Sequence, residues 1–143
     1  MSKACQVDFY VLKDESQSAE LLACRLALMA WQQGNRIMVL VENVTQAERL
    51  DALMWEHPQG RFLPHATSLQ AGPAPVIIGT MTDLADDAGE VIINLTPDAV
   101  PQPQRFNRLL ELVPANDAQR EASRGKFREY RTLGLKPESH TLD

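Results

Sequence analysis

Short continuous apolar runs and longer stretches with helical spacing follow each other along the chain, as in proteins of alternating strands and helices. Residues 6–12 read QVDFYVL and are rich in the β-branched and aromatic side chains that suit a strand. Residues 36–41, RIMVLV, are typical of a strand buried on both faces of a parallel sheet. Residues 75–80 and 90–96 read PVIIGT and EVIINLT, so the pattern predicts at least four strands.

Two helices are predicted between these strands. Apolar residues recur at helical spacing after Ser16 or Ser18, either of which can cap the first helix, and Gly34 supplies its left-handed stop. Thr45 opens a capping-box pattern for a second helix, which Pro58 ends. The order so far is strand, helix, strand, helix.

Two more helices are predicted in the last third. Residues 104–113, QRFNRLLELV, place apolar side chains at helical spacing, and Asn116 or Asp117 can cap a final helix. This alternation, without an internal repeat, predicts a single three-layer Rossmann-like α/β domain with a mostly parallel central sheet and flanking helices. The domain is expected to span 1–135, and residues 136–143 are expected to form a frayed tail.

Composition narrows the class of protein. The chain has 143 residues, 44% of them hydrophobic, which suits one domain with a substantial core. Its net charge of −5 argues against a surface built throughout for nucleic acid. No signal-peptide pattern or membrane-length apolar run is present, so we expect a cytoplasmic protein that makes no membrane contact. Cys5 and Cys24 are expected to be reduced, with Cys24 in the core.

The sequence contains no familiar motif for catalysis or for a bound cofactor. It has neither a GxxxxGK[ST] loop nor a GxGxxG turn, and neither HExxH nor GxSxG. His57, His65 and His140 lack the spacing of metal ligands. We therefore expect no catalytic residue, no metal and no cofactor. The alternative left open is a small nucleotide-binding domain or enzyme with a degenerate motif, whose pocket would lie near Asp14 and Thr80.

Basic residues crowd the last third of an otherwise acidic chain. Arg120, Arg124 and Arg128 are four residues apart and therefore share one face of the final helix. They either form a solvated face with local acids, or they capture an acidic peptide and its terminal carboxylate beside Phe127. A third hypothesis is direct binding of single-stranded DNA, with Phe127 and Tyr130 as stacking platforms.

A second constellation lies around residues 57–75, which are rich in proline and glycine and are predicted as a loop. Trp55 precedes this loop and Phe62 lies within it. The two rings either fold back onto their own core or form the apolar centre of an exposed protein interface.

Several segments together resemble one known family. FYVL, AWQQGNRIMVLVEN, QAERLDALMW, FLPH and FREYRTLG are similar to segments of the chi subunit of bacterial DNA polymerase III. The resemblance extends from Val7 to about Gly134, and its most specific parts are Trp31 to Ile37, Arg49 to Trp55 and Phe62 to His65. It implies a Rossmann-like fold without nucleotide chemistry and without enzymatic activity.

The resemblance also implies two partners. One is the psi subunit of the clamp loader, and the other is the acidic C-terminal tail of single-stranded-DNA-binding protein, so that DNA is contacted only indirectly. The family's site for the tail falls here on Arg120, Arg124, Phe127, Arg128 and Arg131, and its site for psi falls on Trp55, Phe62 and Pro64. Family members carry a tyrosine where Phe127 stands, so this chain keeps the ring contact without the hydroxyl.

Overall fold

Seven strands and three α-helices make up the regular structure of a computed structural model, which describes residues 5–57, 62–68 and 74–142. The strands are β1 (Gln6–Leu12), β2 (Ile37–Leu40), β3 (His65–Thr67), β4 (Val76–Gly79), β5 (Val91–Asn94), β6 (Arg108–Val113) and β7 (Glu138–Leu142). The helices are α1 (Ala19–Gln32), α2 (Val44–Glu56) and α3 (Asp117–Thr132). The strand order is β3-β4-β2-β5-β6-β1-β7, and every pairing is parallel.

Two apolar layers cover the two faces of this sheet. On one face, α1 and α2 bury residues such as Ala27 and Leu50 against Val39 and Ile93 of the central strands. On the other face, α3 buries Tyr130 against β1 and β6. The arrangement confirms the predicted three-layer α/β fold, with a sheet that is parallel throughout.

The early elements lie where the apolar pattern predicts them. β1 occupies the whole of 6–12, and α1 begins after Ser18, whose hydroxyl accepts a hydrogen bond from the backbone N–H of Leu21 at 3.1 Å. Gly34 follows α1 with a φ of 89°, the left-handed conformation that a glycine adopts without steric cost.

Two predictions around α2 are wrong. The helix is capped by Asn43, whose side-chain oxygen accepts from the backbone N–H of Gln46 at 2.9 Å, and Thr45 lies inside its first turn. The predicted loop contains β3, a three-residue strand at the edge of the sheet that pairs with β4. Pro58 lies outside the described residues.

The helix predicted at residues 104–113 is also wrong, because this segment contains strand β6. Its side chains are buried on both faces, with Leu109, Glu111 and Val113 toward α3 and Leu110 and Leu112 toward the other helices. A short apolar run that is buried on both sides carries no period of two, so its pattern is easily read as helical.

The predicted frayed tail is contradicted at residues 138–142, which form β7 and pair with β1. Asp8 of β1 accepts a hydrogen bond from Arg108 Nη2 at 3.0 Å and lies 2.9 Å from His140 Nε2 on β7. Burial by itself raises the pKa of Asp8, but its hydrogen bonds with His140 and Arg108 outweigh burial and hold that pKa below its usual value. Polar contacts therefore fasten a strand that has little apolar character.

The remaining predictions concern the cysteines and the membrane. Cys5 and Cys24 are both free and buried, and burial is the main cause that raises the pKa of each thiol to about 11. Within the described part of the chain, no helix is long and apolar enough to cross a membrane.

Candidate functional site

A buried polar network fixes α3 to the sheet. Glu111 of β6 accepts hydrogen bonds from Lys126 Nζ at 2.8 Å, from Tyr130 Oη at 2.5 Å and from Asn94 Nδ2 at 2.9 Å. Tyr130 Oη in turn accepts from the backbone N–H of Val100 at 2.9 Å. Two residues on one face of α3 are thus tied to β6 and to the segment that follows β5, which sets the orientation of the opposite, arginine-bearing face.

The environment of this network is dry. Glu111, Tyr130 and Asn94 are 0% exposed and Lys126 is 6% exposed. Burial raises the pKa of Glu111 above its ordinary value, and the three donors oppose that rise. Burial and the neighbouring Glu111 also raise the pKa of Tyr130. Because Tyr130 is buried, it offers no stacking platform for DNA bases, and this part of the third hypothesis is wrong.

A groove runs between α3 and the sheet beside the β7 edge. We call it the basic groove; its volume is about 240 Å³, and its lining residues are Phe9, Val11, Val113, Arg120, Ser123, Arg124, Phe127 and Ser139. Its floor is apolar, with the rings of Phe9 and Phe127 in contact at 5.3 Å between centroids. The two arginines supply a positive rim, so the groove pairs an apolar notch with anion-binding side chains.

The predicted arginines divide into two groups. Arg120 and Arg124 line the basic groove, together with Phe127. Arg124 donates to the exposed Glu121 at 2.7 Å, whereas Arg120 has no ion-pair partner among the described residues. Arg128 and Arg131 are exposed on α3 and do not line the groove. The stripe therefore has an inner pair beside the notch and an outer pair facing solvent.

The aromatic residues of the central segment are exposed. We call Trp55, Phe62, Pro64 and His65 the aromatic patch. Trp55 is 62% exposed and Phe62 is 64% exposed, and their ring centroids are 5.9 Å apart. Neither ring folds back onto the core, whereas Leu63, which follows Phe62, is buried. Large exposed aromatic rings in contact with each other mark a surface suited to a protein partner.

Within this patch, His65 forms the buried base. Its side chain is 0% exposed, its Nδ1 lies 2.7 Å from the carbonyl oxygen of Leu63, and its Nε2 lies 3.2 Å from Asp51 Oδ1. Trp55 packs on the imidazole at 4.8 Å between centroids. The sequence alone gives this histidine no role, although the FLPH segment contains it.

The basic groove and the aromatic patch lie at opposite ends of the molecule. The groove includes Ser139 of β7, one edge strand of the sheet, and the patch adjoins β3, the other edge strand. Six inter-strand spacings of about 4.8 Å separate these edges by about 29 Å. The groove also lies on the α3 face, whereas Trp55 belongs to the α2 face. A ligand at one surface therefore leaves the other open.

One group of potential metal ligands comes together in the described part of the chain. Carboxylate oxygens of Asp8 and Glu138 and a ring nitrogen of His140 lie within 4.8 Å of one another. The guanidinium of Arg108 already donates to Asp8, so the site holds a cation and gives a metal ion no advantage. This donor set fits the fastening of β7 better than a metal centre.

The chain is similar to known proteins along nearly its whole length. The family model described as DNA polymerase III chi subunit, HolC, matches residues 5–138. DNA polymerase III subunit chi of Pseudomonas aeruginosa is 36% identical over 138 residues, which cover 96% of this chain and 96% of that protein. Subunit chi of Escherichia coli K12 is 27% identical over 134 residues, which cover 89% of this chain and 91% of that protein.

Solved structures of low sequence identity share the fold. S. cerevisiae Dbp5 in complex with Gle1 and IP6 has a TM-score of 0.66 at 9% identity, and the match covers 100% of this chain and 43% of that one. T4 UvsW has a TM-score of 0.67 at 7% identity, and the match covers 99% of this chain and 42% of that one. At such identity the likeness concerns the chain fold alone.

Proposed function

The chain belongs to the chi-subunit family of DNA polymerase III, a family of replication accessory subunits, as its sequence segments predict; from this membership we propose that it is a non-catalytic adaptor. In this proposal it joins the clamp loader, through the psi subunit, to the acidic C-terminal tail of single-stranded-DNA-binding protein. In this proposal the adaptor acts in the cytoplasm, and it contacts DNA only indirectly, through single-stranded-DNA-binding protein.

The observation that carries the proposal is the basic groove, which combines two chemistries in one place. Phe9, Val11 and Phe127 offer an apolar notch for a terminal phenylalanine side chain, and Arg120 and Arg124 stand at its rim. The arginines would pair with the terminal carboxylate and the nearest aspartate, because guanidinium groups donate bidentate hydrogen bonds to carboxylates. Arg128 and Arg131 would attract the acids farther along the tail.

The second half of the adaptor is the aromatic patch, to which we assign the psi subunit. Trp55 and Phe62 expose most of their ring surface, and Pro64 adds a rigid apolar neighbour. Burial of two large aromatic side chains is a common energetic centre of protein interfaces. Because the patch and the groove lie at opposite edges of the sheet, both partners fit at once.

Weak binding at the groove suits this task. A short peptide covers a small and largely solvated surface, so we expect micromolar affinity that falls as salt screens the arginines. Many tails on one DNA-bound array still hold the complex, because tethering raises the effective concentration of the next tail.

The nucleotide-binding alternative fits the structure less well. Beside Thr80, at the carboxyl ends of the parallel strands, where such folds bind phosphates, the cavities are lined by acids such as Glu42, Glu48, Asp83 and Asp98. Carboxylates repel phosphate. A nucleotide phosphate could bind here only if free N–H groups in the first turn of a following helix, or basic side chains, offset that repulsion.

The test is a calorimetric titration of the purified chain with a peptide that ends in several aspartates, a proline and a phenylalanine. The matched control peptide lacks only the terminal phenylalanine. We expect micromolar, salt-sensitive binding of the intact peptide and a large loss with the control, because the notch is then empty. Equal affinities for the two peptides, or failure of both at low salt, would reject the groove as the tail site.

A further inference from the structure

A second cavity, separate from the basic groove, lies beside α2 at the carboxyl ends of β3 and β4. We call it the acidic cavity; its volume is about 300 Å³, at the small end of the range for ligand pockets. Its walls are one face of α2, the ends of the two strands and the short turn after β4. The residues used below are Val44, Glu48, Asp51, Thr67, Ser68 and Asp83.

Thr67 is a polar side chain aimed into this cavity without a partner. It is 7% exposed, and its hydroxyl makes no hydrogen bond with any residue that the structure describes. Side chains two residues apart on a strand share one face, so Thr67 points the same way as His65, which contacts Asp51 of α2. The residue is therefore largely buried, while its unpaired hydroxyl is accessible from the cavity, where a ligand group can reach it.

The charge of the lining residues determines which sign of charge the ligand must carry. Three carboxylates, from Glu48, Asp51 and Asp83, border the cavity, and the residues described in its lining include no lysine or arginine. Asp83 is satisfied by Ser68 Oγ at 3.0 Å and by the backbone N–H of Thr80 at 2.8 Å, and Asp51 contacts His65. The side chain of Glu48 has no partner among the described residues, which leaves one carboxylate for an incoming cation.

The acidic cavity is continuous with the aromatic patch. Val44, Glu48, Asp51 and Trp55 follow one another at helical spacings of four, three and four residues, so they form one stripe along α2. Asp51 touches His65, and Trp55 packs on the same imidazole ring. A segment that covers the aromatic patch and runs along α2 toward its amino end therefore reaches the cavity.

We propose that the acidic cavity receives an arginine or lysine side chain from the same partner segment that covers the aromatic patch. This inference rests on the proposed function, because that segment is assigned to psi. The cation would pair with Glu48 and donate a hydrogen bond to the hydroxyl of Thr67. The apolar anchor would sit on Trp55 and Phe62, about two helical turns away.

This arrangement adds selectivity to an otherwise apolar contact. Exposed aromatic rings bind many apolar surfaces, whereas a carboxylate in a cavity accepts only a partner with a cation at the right distance from its anchor. The free cavity is also unsuited to the acidic tail of the other partner, because like charges repel. The two ends of the adaptor thus select ligands of opposite charge.

The test is a calorimetric titration of the psi subunit into the full chain at several salt concentrations. Glu48→Gln removes the charge and Thr67→Val removes the hydroxyl with little change of shape. We expect each to weaken psi binding by about five- to tenfold, the usual effect of one lost charge-assisted or buried hydrogen bond. Glu48→Gln is also expected to flatten the salt dependence. Asp87→Asn, an equal loss of charge on the exposed acidic loop, is the matched control and should stay within about twofold.

Trp55→Ala separates the two possible failures. If it weakens psi binding while Glu48→Gln and Thr67→Val both bind as the parent chain does at every salt concentration, the inference is overturned and the aromatic patch stands. If Trp55→Ala has no effect, the psi site of the proposed function is wrong and the inference falls with it. Saturable binding of 1,4-diaminobutane with unchanged psi affinity would assign the cavity to a free amine. Self-association that Glu48→Gln abolishes, again with unchanged psi affinity, would assign it to a second copy; either result overturns the proposal.

Discussion

At the scale of single residues, position relative to the apolar notch separates arginines that look equivalent in the sequence. Arg120 and Arg124 reach the rim of the basic groove, whereas Arg128 and Arg131 lie on the exposed part of α3. Charge-assisted hydrogen bonds need contact, while attraction across solvent decays within a Debye length. The inner pair should therefore govern affinity, and the outer pair should govern its salt dependence.

Arg120→Ala is expected to weaken binding of the acidic tail peptide by about 1 to 3 kcal/mol, the usual cost of a lost charge-assisted contact. Arg120 is the more informative of the inner pair, because Arg124 already has Glu121 as an alternative partner. Calorimetry measures the change. Arg25→Ala, which removes an exposed arginine from α1, is the matched control and should leave the affinity unaltered. Equal affinities for Arg120→Ala and the parent chain would remove Arg120 from the site.

At the scale of elements, the sequence predicted the helices and strands that are specified by neighbouring residues in the chain. β1 and α1 lie where period and capping place them, and α3 begins after Asn116, whose side chain accepts from Gln119 N at 2.9 Å. β6 was missed because a strand buried on both faces has no alternation. β7 was missed because its stability comes from pairing with a strand 130 positions earlier and from contacts with Asp8, which no local window contains.

The candidate site was predictable to the same degree. The arginine stripe follows from spacing, and Trp55 and Phe62 could be named in advance. The exposure of the two rings could not be predicted, because the sequence equally allowed them to fold back onto the core. The floor of the basic groove could not, because Phe9 and Ser139 come from strands whose neighbourhood is set by the sheet order. Lys126 shows the same limit: in the sequence it belongs to the basic helix, but in the fold it is buried against Glu111.

Lys126→Ala tests how α3 is held. Removal of one partner of a buried ion pair leaves the other charge uncompensated, so we expect the free energy of unfolding to fall by about 3 to 5 kcal/mol. Lys126→Met combined with Glu111→Gln should recover part of this loss, because the apolar chain fills the space and no charge stays buried. Chemical denaturation measures both variants. A loss below about 1 kcal/mol for Lys126→Ala would mean that the network does not anchor the helix.

At the scale of the whole molecule, the sheet acts as a spacer between two surfaces. The basic groove lies beside β7 and the aromatic patch beside β3, with five strands between them. No element carries residues of both surfaces, since α3 bears the arginines and α2 bears Trp55. A parallel sheet packed on both faces is a rigid body, so neither surface has an evident route by which to alter the other.

If the basic groove and the aromatic patch are independent of each other, a substitution at one should leave binding at the other unchanged. Trp55→Ala combined with Phe62→Ala should weaken psi binding by at least about 2 kcal/mol, since both rings are exposed anchors. The same variant should bind the acidic tail peptide within about 0.5 kcal/mol of the parent chain, because mutations at distant sites without shared contacts act additively. Met29→Ala, which removes an exposed apolar side chain from α1, should leave both affinities unchanged.

The decisive measurement is psi affinity in the presence and absence of saturating tail peptide. Two sites beside opposite edges of a rigid sheet should give the same psi dissociation constant in both titrations. If saturating peptide abolishes psi binding, the partners compete for one surface, and an adaptor that holds both at once is excluded. If Trp55→Ala with Phe62→Ala loses both ligands while its circular dichroism and unfolding midpoint match the parent chain, the aromatic patch and the basic groove are not separate. If the tail peptide leaves psi affinity unchanged, and the variant Trp55→Ala with Phe62→Ala keeps its affinity for the tail, one arrangement is left. A small rigid sheet then holds a clamp-loader subunit at one edge and an acidic peptide at the other.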